Sequence, residues 1–98
     1  MPKNNLFRMQ VQDTFEIGDE GLVRHGLVVS GRVDEGTVSV GDKVTIISNN
    51  SDRRIVVVNH IEMVGNLTDT ATQGDDVGLL FTDLSQGDVS QGDIIQSE

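Results

Sequence analysis

Gly followed by Asp recurs five times, at Gly18-Asp19, Gly41-Asp42, Gly74-Asp75, Gly87-Asp88 and Gly92-Asp93, and this punctuation limits the fold more than any other feature. Gly adopts positive φ without steric penalty and Asp bonds nearby backbone, so each pair marks a turn. Between the turns lie short runs of strand character. Phe7, Met9 and Val11 alternate with Arg8, Gln10 and Gln12, which is the period of a half-buried strand. Further runs cover Leu27 to Val33, Lys43 to Ser48, Arg54 to Val64, Val77 to Phe81 and Asp93 to Ile95. No window joins a capping residue to apolar positions three and four apart over three turns, so no helix is expected. Many short strands divided by Gly-rich turns predict a barrel or a sandwich.

The segment Ser48-Asn49-Asn50-Ser51-Asp52 reads as a hairpin loop between two apolar runs. Gly18 to Gly26 and Gly65 to Gly74 read as irregular stretches. Ser85-Gln86-Gly87-Asp88-Val89 and Ser90-Gln91-Gly92-Asp93-Ile94 nearly repeat each other. A period of five is too short for a solenoid unit, so these are two successive turns. No linker divides the chain, and residues 1–98 are expected to form one domain with residues 1–5 as a flexible tail.

A chain of 98 residues supports one modest core, since a domain this small buries only roughly two-thirds of its unfolded surface. With three Phe, no Tyr and no Trp, that core must come from Val, Ile and Leu. There is no cysteine, which excludes disulfides, thiolate metal sites and thiol catalysis. Met1-Pro2-Lys3-Asn4-Asn5 has no apolar signal region and opens like a natural start, and no stretch approaches the roughly 18 apolar residues of a membrane span. A cytoplasmic protein without membrane partners is expected. The formal net charge of −9 repels phosphate over most of the surface and argues against non-specific nucleic-acid binding. A small pocket for one RNA end is compatible with that charge, because stacking and polar contacts to a base need no basic face.

The motifs of common chemistry are missing. Glycines fall five apart at Gly36 and Gly41, but Asp42 precedes Lys43, and an acidic residue there repels a phosphate. No Asn-Lys-x-Asp base-reading sequence accompanies it. His60 and Glu62 share a strand face by their spacing of two, yet two ligands do not make a metal site. They read as the polar edge of a strand whose other face carries Ile55, Val57, Ile61 and Met63. Asp75, Asp76, Asp83, Asp88 and Asp93 match no calcium loop, and no Ser sits in a nucleophile elbow. No catalytic residue, no cofactor and no metal are therefore assigned, and the chain is not expected to be an enzyme.

Gly26-Leu27-Val28-Val29-Ser30-Gly31-Arg32-Val33-Asp34-Glu35-Gly36, with Val38 and Val40-Gly41-Asp42-Lys43-Val44 after it, resembles the second domain of elongation factor Tu and its relatives among translational GTPases. Val11 to Ile17, Ile61-Glu62-Met63 and Gly74 to Leu80 agree in order and spacing, so the resemblance runs from about Leu6 to Ile95. It implies an all-β fold, a small closed antiparallel β-barrel, in which Gly31 and Gly36 serve bending and turning. It also implies a stand-alone, non-catalytic binding module without the GTPase domain, contacting a tRNA 3′ end or a translation-related protein. By position, Asp13, Phe15, Ile17, Ser30, Glu62, Asp76 and Leu80 would line half of the pocket for the aminoacylated end. Phe15, Ile17 and Leu80 are residue types more often found in a core, and Glu62 and Asp76 types more often found on a solvated edge and in a turn. Gln12, Val64 and Asp76 depart from the family's acidic residue, aromatic or His, and Asn, and the stretch from Gly18 to His25 is longer than the family's turn. The alternative is a protein-interaction module that kept the barrel and lost RNA binding.

Overall fold

The structure, a computed structural model, describes residues 6–18 and 25–98. The tail expected at residues 1–5 and the turn at Asp19 lie outside the described residues. The strands are β1 (Arg8–Gln10), β2 (Asp13–Ile17), β3 (Gly26–Glu35), β4 (Thr37–Ser39), β5 (Lys43–Ile47), β6 (Arg53–Val57), β7 (His60–Met63), β8 (Asn66–Thr68), β9 (Thr70–Thr72), β10 (Asp76–Phe81) and β11 (Ile94–Ser97). The described residues contain no helix, and every pairing is antiparallel. Along the main sheet the order is β6-β5-β11-β1-β3-β10-β7-β8, with β2 also on β3, and β4 and β9 form a separate ribbon.

This sheet curls into a half-barrel, and its terminal strands β6 and β8 do not pair, so hydrogen bonds do not close it as the sequence led us to expect. Two bent strands carry the curvature instead. The first half of β3 pairs with β2 and β10, and its last residues pair with β1. At the crossing, a Cβ on Gly31 would meet the Gln10 carbonyl oxygen at 2.6 Å, so only Gly permits the bend. Gly36 follows at φ 73°, in the turn that the sequence assigned to it.

The second bend lies between β6 and β7. Val58 donates to Asp42 O at 3.0 Å, facing β5, whereas Asn59 donates to Leu80 O at 2.9 Å, facing β10. The run from Arg54 to Val64 is thus two strands joined at a corner, and the corner reverses which side chains point inward. Val56 and Val58 join Ile61 in the core, while Ile55 and Val57 are exposed, contrary to the expected face. Short strands also occupy stretches read as irregular or left unassigned: β2, β4, β8 and β9.

Alternation is kept around β1. Phe7, Met9 and Val11 are buried between exposed Arg8, Gln10 and Gln12. Leu27, Val29 and Val33 from β3 meet Val77, Leu79 and Phe81 from β10 in one core with Met9, Ile61 and Ile95. Each such buried side chain contributes about 1.5–3 kcal/mol relative to exposure.

Four turns share one construction, Ser or Thr, any residue, Gly, Asp. Asp42, Asp75, Asp88 and Asp93 each donate their N–H back three residues to a carbonyl at 3.0 Å. Each carboxylate then accepts the N–H of that same residue, at 2.8–2.9 Å. The glycine between sits at φ 93–101°, which type II turns require.

Candidate functional site

Residues directly opposite in an antiparallel pair point to the same face, so the registers define rows across β2, β3, β10 and β7. One row is Asp13, Ser30, Gly78 and Glu62, and the next is Phe15, Val28, Leu80 and His60. Arg32 faces Asp76 on one side of these rows, and Ile17 faces Gly26 on the other. All seven site residues read from the sequence therefore stand on the outer face of this part of the sheet, opposite the core. Phe15 is 50% exposed and is no core residue. Leu80 and Val28 are buried on this outer face, yet neither belongs to the core cluster.

Phe15, Ser30, Glu62 and Asp76 line a shallow depression of about 290 Å³, and Asp13, Ile17 and Leu80 flank it without lining it. The Asp13 carboxylate is turned to its own chain, where it accepts the Thr14 N–H at 2.8 Å. Gly78 forms part of the lining because it has no side chain; a Cβ there would touch Val28 Cγ1 at 3.2 Å. Val28 and Gly78 were not singled out from the sequence, although both fall two residues from a named position, Ser30 and Leu80. Gln12, Val64 and Gly65 complete the rim.

At one end Arg32 grips Asp76, with Nε donating to Oδ1 at 3.0 Å and Nη2 donating to Oδ2 at 3.3 Å. These hydrogen bonds, and then the charge of Arg32, hold the Asp76 carboxyl below its ordinary value. The pair is exposed, so solvent screens it and it adds little to stability. At the opposite rim, Val64 and Gly65 form the two-residue turn between β7 and β8, with φ of 51° and 79°. Both positive angles identify a type I′ hairpin turn. Val64 is a β-branched residue in a left-handed conformation, and it is 96% exposed.

The chemistry offered is one aromatic ring, an aliphatic patch, a hydroxyl and the Glu62 carboxylate. With Glu62 and Asp76 both in the lining and no cation among the lining residues, the depression suits a neutral or cationic group that donates hydrogen bonds. His60 and Glu62 do share a face, and among the described residues no group of three or more His, Cys, Asp or Glu gathers to hold a metal. Gln12, Val64 and Asp76, three of the positions where the sequence departs from the family it resembles, all fall on this one rim.

A family model described as elongation factor Tu domain 2 matches residues 26–96. The crystal structure of translation elongation factor SelB from Methanococcus maripaludis, in its apo form, is similar over 97% of this chain, with a TM-score of 0.80 and 24% sequence identity. That likeness is one of fold, and this chain spans 19% of the length of that protein.

Proposed function

Because the chain belongs to the elongation factor Tu domain 2 family, we propose that it is a cytoplasmic, non-catalytic binding module of translation-factor type whose outer-face depression takes the aminoacylated 3′ end of a tRNA. One observation carries this reading: Phe15, Ser30, Glu62 and Asp76, four residues far apart in sequence, converge on one depression beside the glycine floor at Gly78. Phe15 supplies a stacking surface for a base, which is how unpaired RNA ends are held. Glu62 accepts hydrogen bonds from a ribose hydroxyl or from the α-ammonium of the amino acid. No phosphate is gripped, in keeping with a chain at −9. The changed rim at Gln12, Val64 and Asp76 supports a ligand preference different from that of the family's other members, since Val64 cannot stack on a base.

An open depression of this size supports an affinity near millimolar, about 4 kcal/mol. Titration of the labelled protein with an aminoacyl-adenosine fragment should shift the amides of Phe15, Ser30, Glu62 and Gly78 together. Glu62→Ala, at an exposed side-chain position of β7, should keep the fold and abolish the response. Gly78→Val should fill the floor and do the same. Silence of the native protein at several millimolar fragment would leave protein contact alone as the role of the barrel.

A further inference from the structure

The terminal strand β6 has a free edge whose hydrogen-bonding groups can be assigned from the pairing. Ser48 donates to Asp52 O at 2.9 Å and Val58 donates to Asp42 O at 3.0 Å, which fixes both ends of the β5–β6 ladder. Bonded pairs alternate in an antiparallel ladder, so Arg54 and Val56 face β5 while the N–H and C=O of Arg53, Ile55 and Val57 face outward. Among the described residues no strand pairs with them. Their side chains stand on the convex face, where Ile55 is 56% and Val57 37% exposed.

Charge singles out the same edge. Arg8, Arg32 and Arg54 are paired with Asp34, Asp76 and Asp88. Arg53, and Lys43 directly opposite Val57, have no acidic partner among the described residues. A chain at −9 thus places both of its unpaired described cations beside the free edge of β6, whereas the free edges of β2 and β8, with exposed Phe15 and Leu67, have no such cation on their own strands. A second copy would bring Arg53 and Lys43 against the same two cations, so the local charge at this edge favours an occupant of opposite sign there.

We infer that β6 is a docking edge for an extended acidic peptide segment of another protein, which adds to the sheet as an antiparallel strand. The register sets its pattern. The guest residues opposite Val57 and Ile55 are apolar and the one opposite Arg53 is acidic, in the order apolar, any, apolar, any, acidic. Three guest residues exchange N–H and C=O bonds with Arg53, Ile55 and Val57. This edge lies apart from the Phe15 depression, and its occupancy is independent of that reading.

The probe is the hexapeptide acetyl-VTITEE-amide, titrated into the full labelled chain. The amide signals of Arg53, Ile55 and Val57 should shift, and their hydrogen exchange should slow, with the signals of Phe15 and Gly78 unmoved. Ile55→Pro removes one outward N–H and leaves the ladder to β5 intact, so the fold should persist and binding should vanish. Arg53→Glu should weaken the peptide at least about fivefold and should bind acetyl-VTITKK-amide in its place. Equal binding of both peptides by the native chain would overturn the inference, as would absence of shifts at several millimolar. Self-association through β6 in sedimentation, or shifts at β6 produced by polyuridylate and not by the peptide, would assign the edge to another occupant and overturn it as well.

Discussion

Replacing Val64 by Asn should stabilise the protein. Val64 sits at φ 51°, followed by Gly65 at φ 79°, and a left-handed conformation costs an L-residue roughly 1–2 kcal/mol because Cβ approaches the following carbonyl. Branching at Cβ makes this worse, whereas Asn relieves it through local hydrogen bonds and is favoured before Gly in a type I′ turn. The substitution gives up no burial, because Val64 is 96% exposed. The net gain should therefore be about 1 kcal/mol, which for a domain of this size raises Tm by roughly 4–8 °C. Reversible thermal unfolding followed by far-ultraviolet circular dichroism reads it directly. Val64→Ala serves as the control, since it removes the branch and keeps the Cβ, and its gain should be smaller. A Tm of Val64→Asn at or below that of the native chain would refute the assignment of strain to this turn.

At Gly36, φ is 73° and an added Cβ would lie 1.8 Å from the Leu6 carbonyl oxygen, so Gly36→Ala should lower stability by more than about 3 kcal/mol in urea unfolding. The turn aspartates should differ by burial: Asp93, at 3% exposure, should cost about 2 kcal/mol when changed to Ala, and Asp75, whose bond to Thr72 N–H is exposed, about half that. The Asp76 carboxyl should titrate below the ordinary carboxylate value in a carbon-detected pH series, and Arg32→Ala should return it to that value. Its folded-state value is lowered, so the attraction is present at neutral pH and is lost as pH falls through that lowered midpoint; exposure keeps the effect on unfolding small.

Alternation made β1 legible, because one of its faces is buried and the other exposed, whereas β3 and β10 were legible as apolar runs, with Val28 and Leu80 buried on the outer face as well. The corner at Val58 and Asn59 was not legible. Backbone bonds to two different strands create it, and the apolar run from Ile55 to Val58 carries no period to show where the face reverses. Strands β4, β8 and β9, of three residues each, are too short and too polar to display a pattern. The family resemblance named Phe15, Ser30, Glu62 and Asp76, whose types alone fit a core, an edge or a turn, and that these four line one depression follows from the strand registers. Gly78 was not legible as part of the lining, since its contribution is the space where a side chain is absent. The Arg32–Asp76 pair spans 44 positions, a contact that only the register of β3 against β10 brings about.

The repeated turns change the meaning of the chain's acidity. Four of its carboxylates are occupied in closing Ser/Thr-x-Gly-Asp turns, each accepting a backbone N–H three residues before it. A quarter of the sixteen acidic residues is therefore backbone geometry written in Asp rather than adaptation to partners. Asn presents the same acceptor oxygen without the charge, so at Asp42, Asp75 and Asp88 the surface potential and the architecture are separable quantities. Each exchange to Asn shifts the net charge by one unit while the turn stays closed, which leaves the chain's long-range electrostatic attraction or repulsion free to drift without any change of fold.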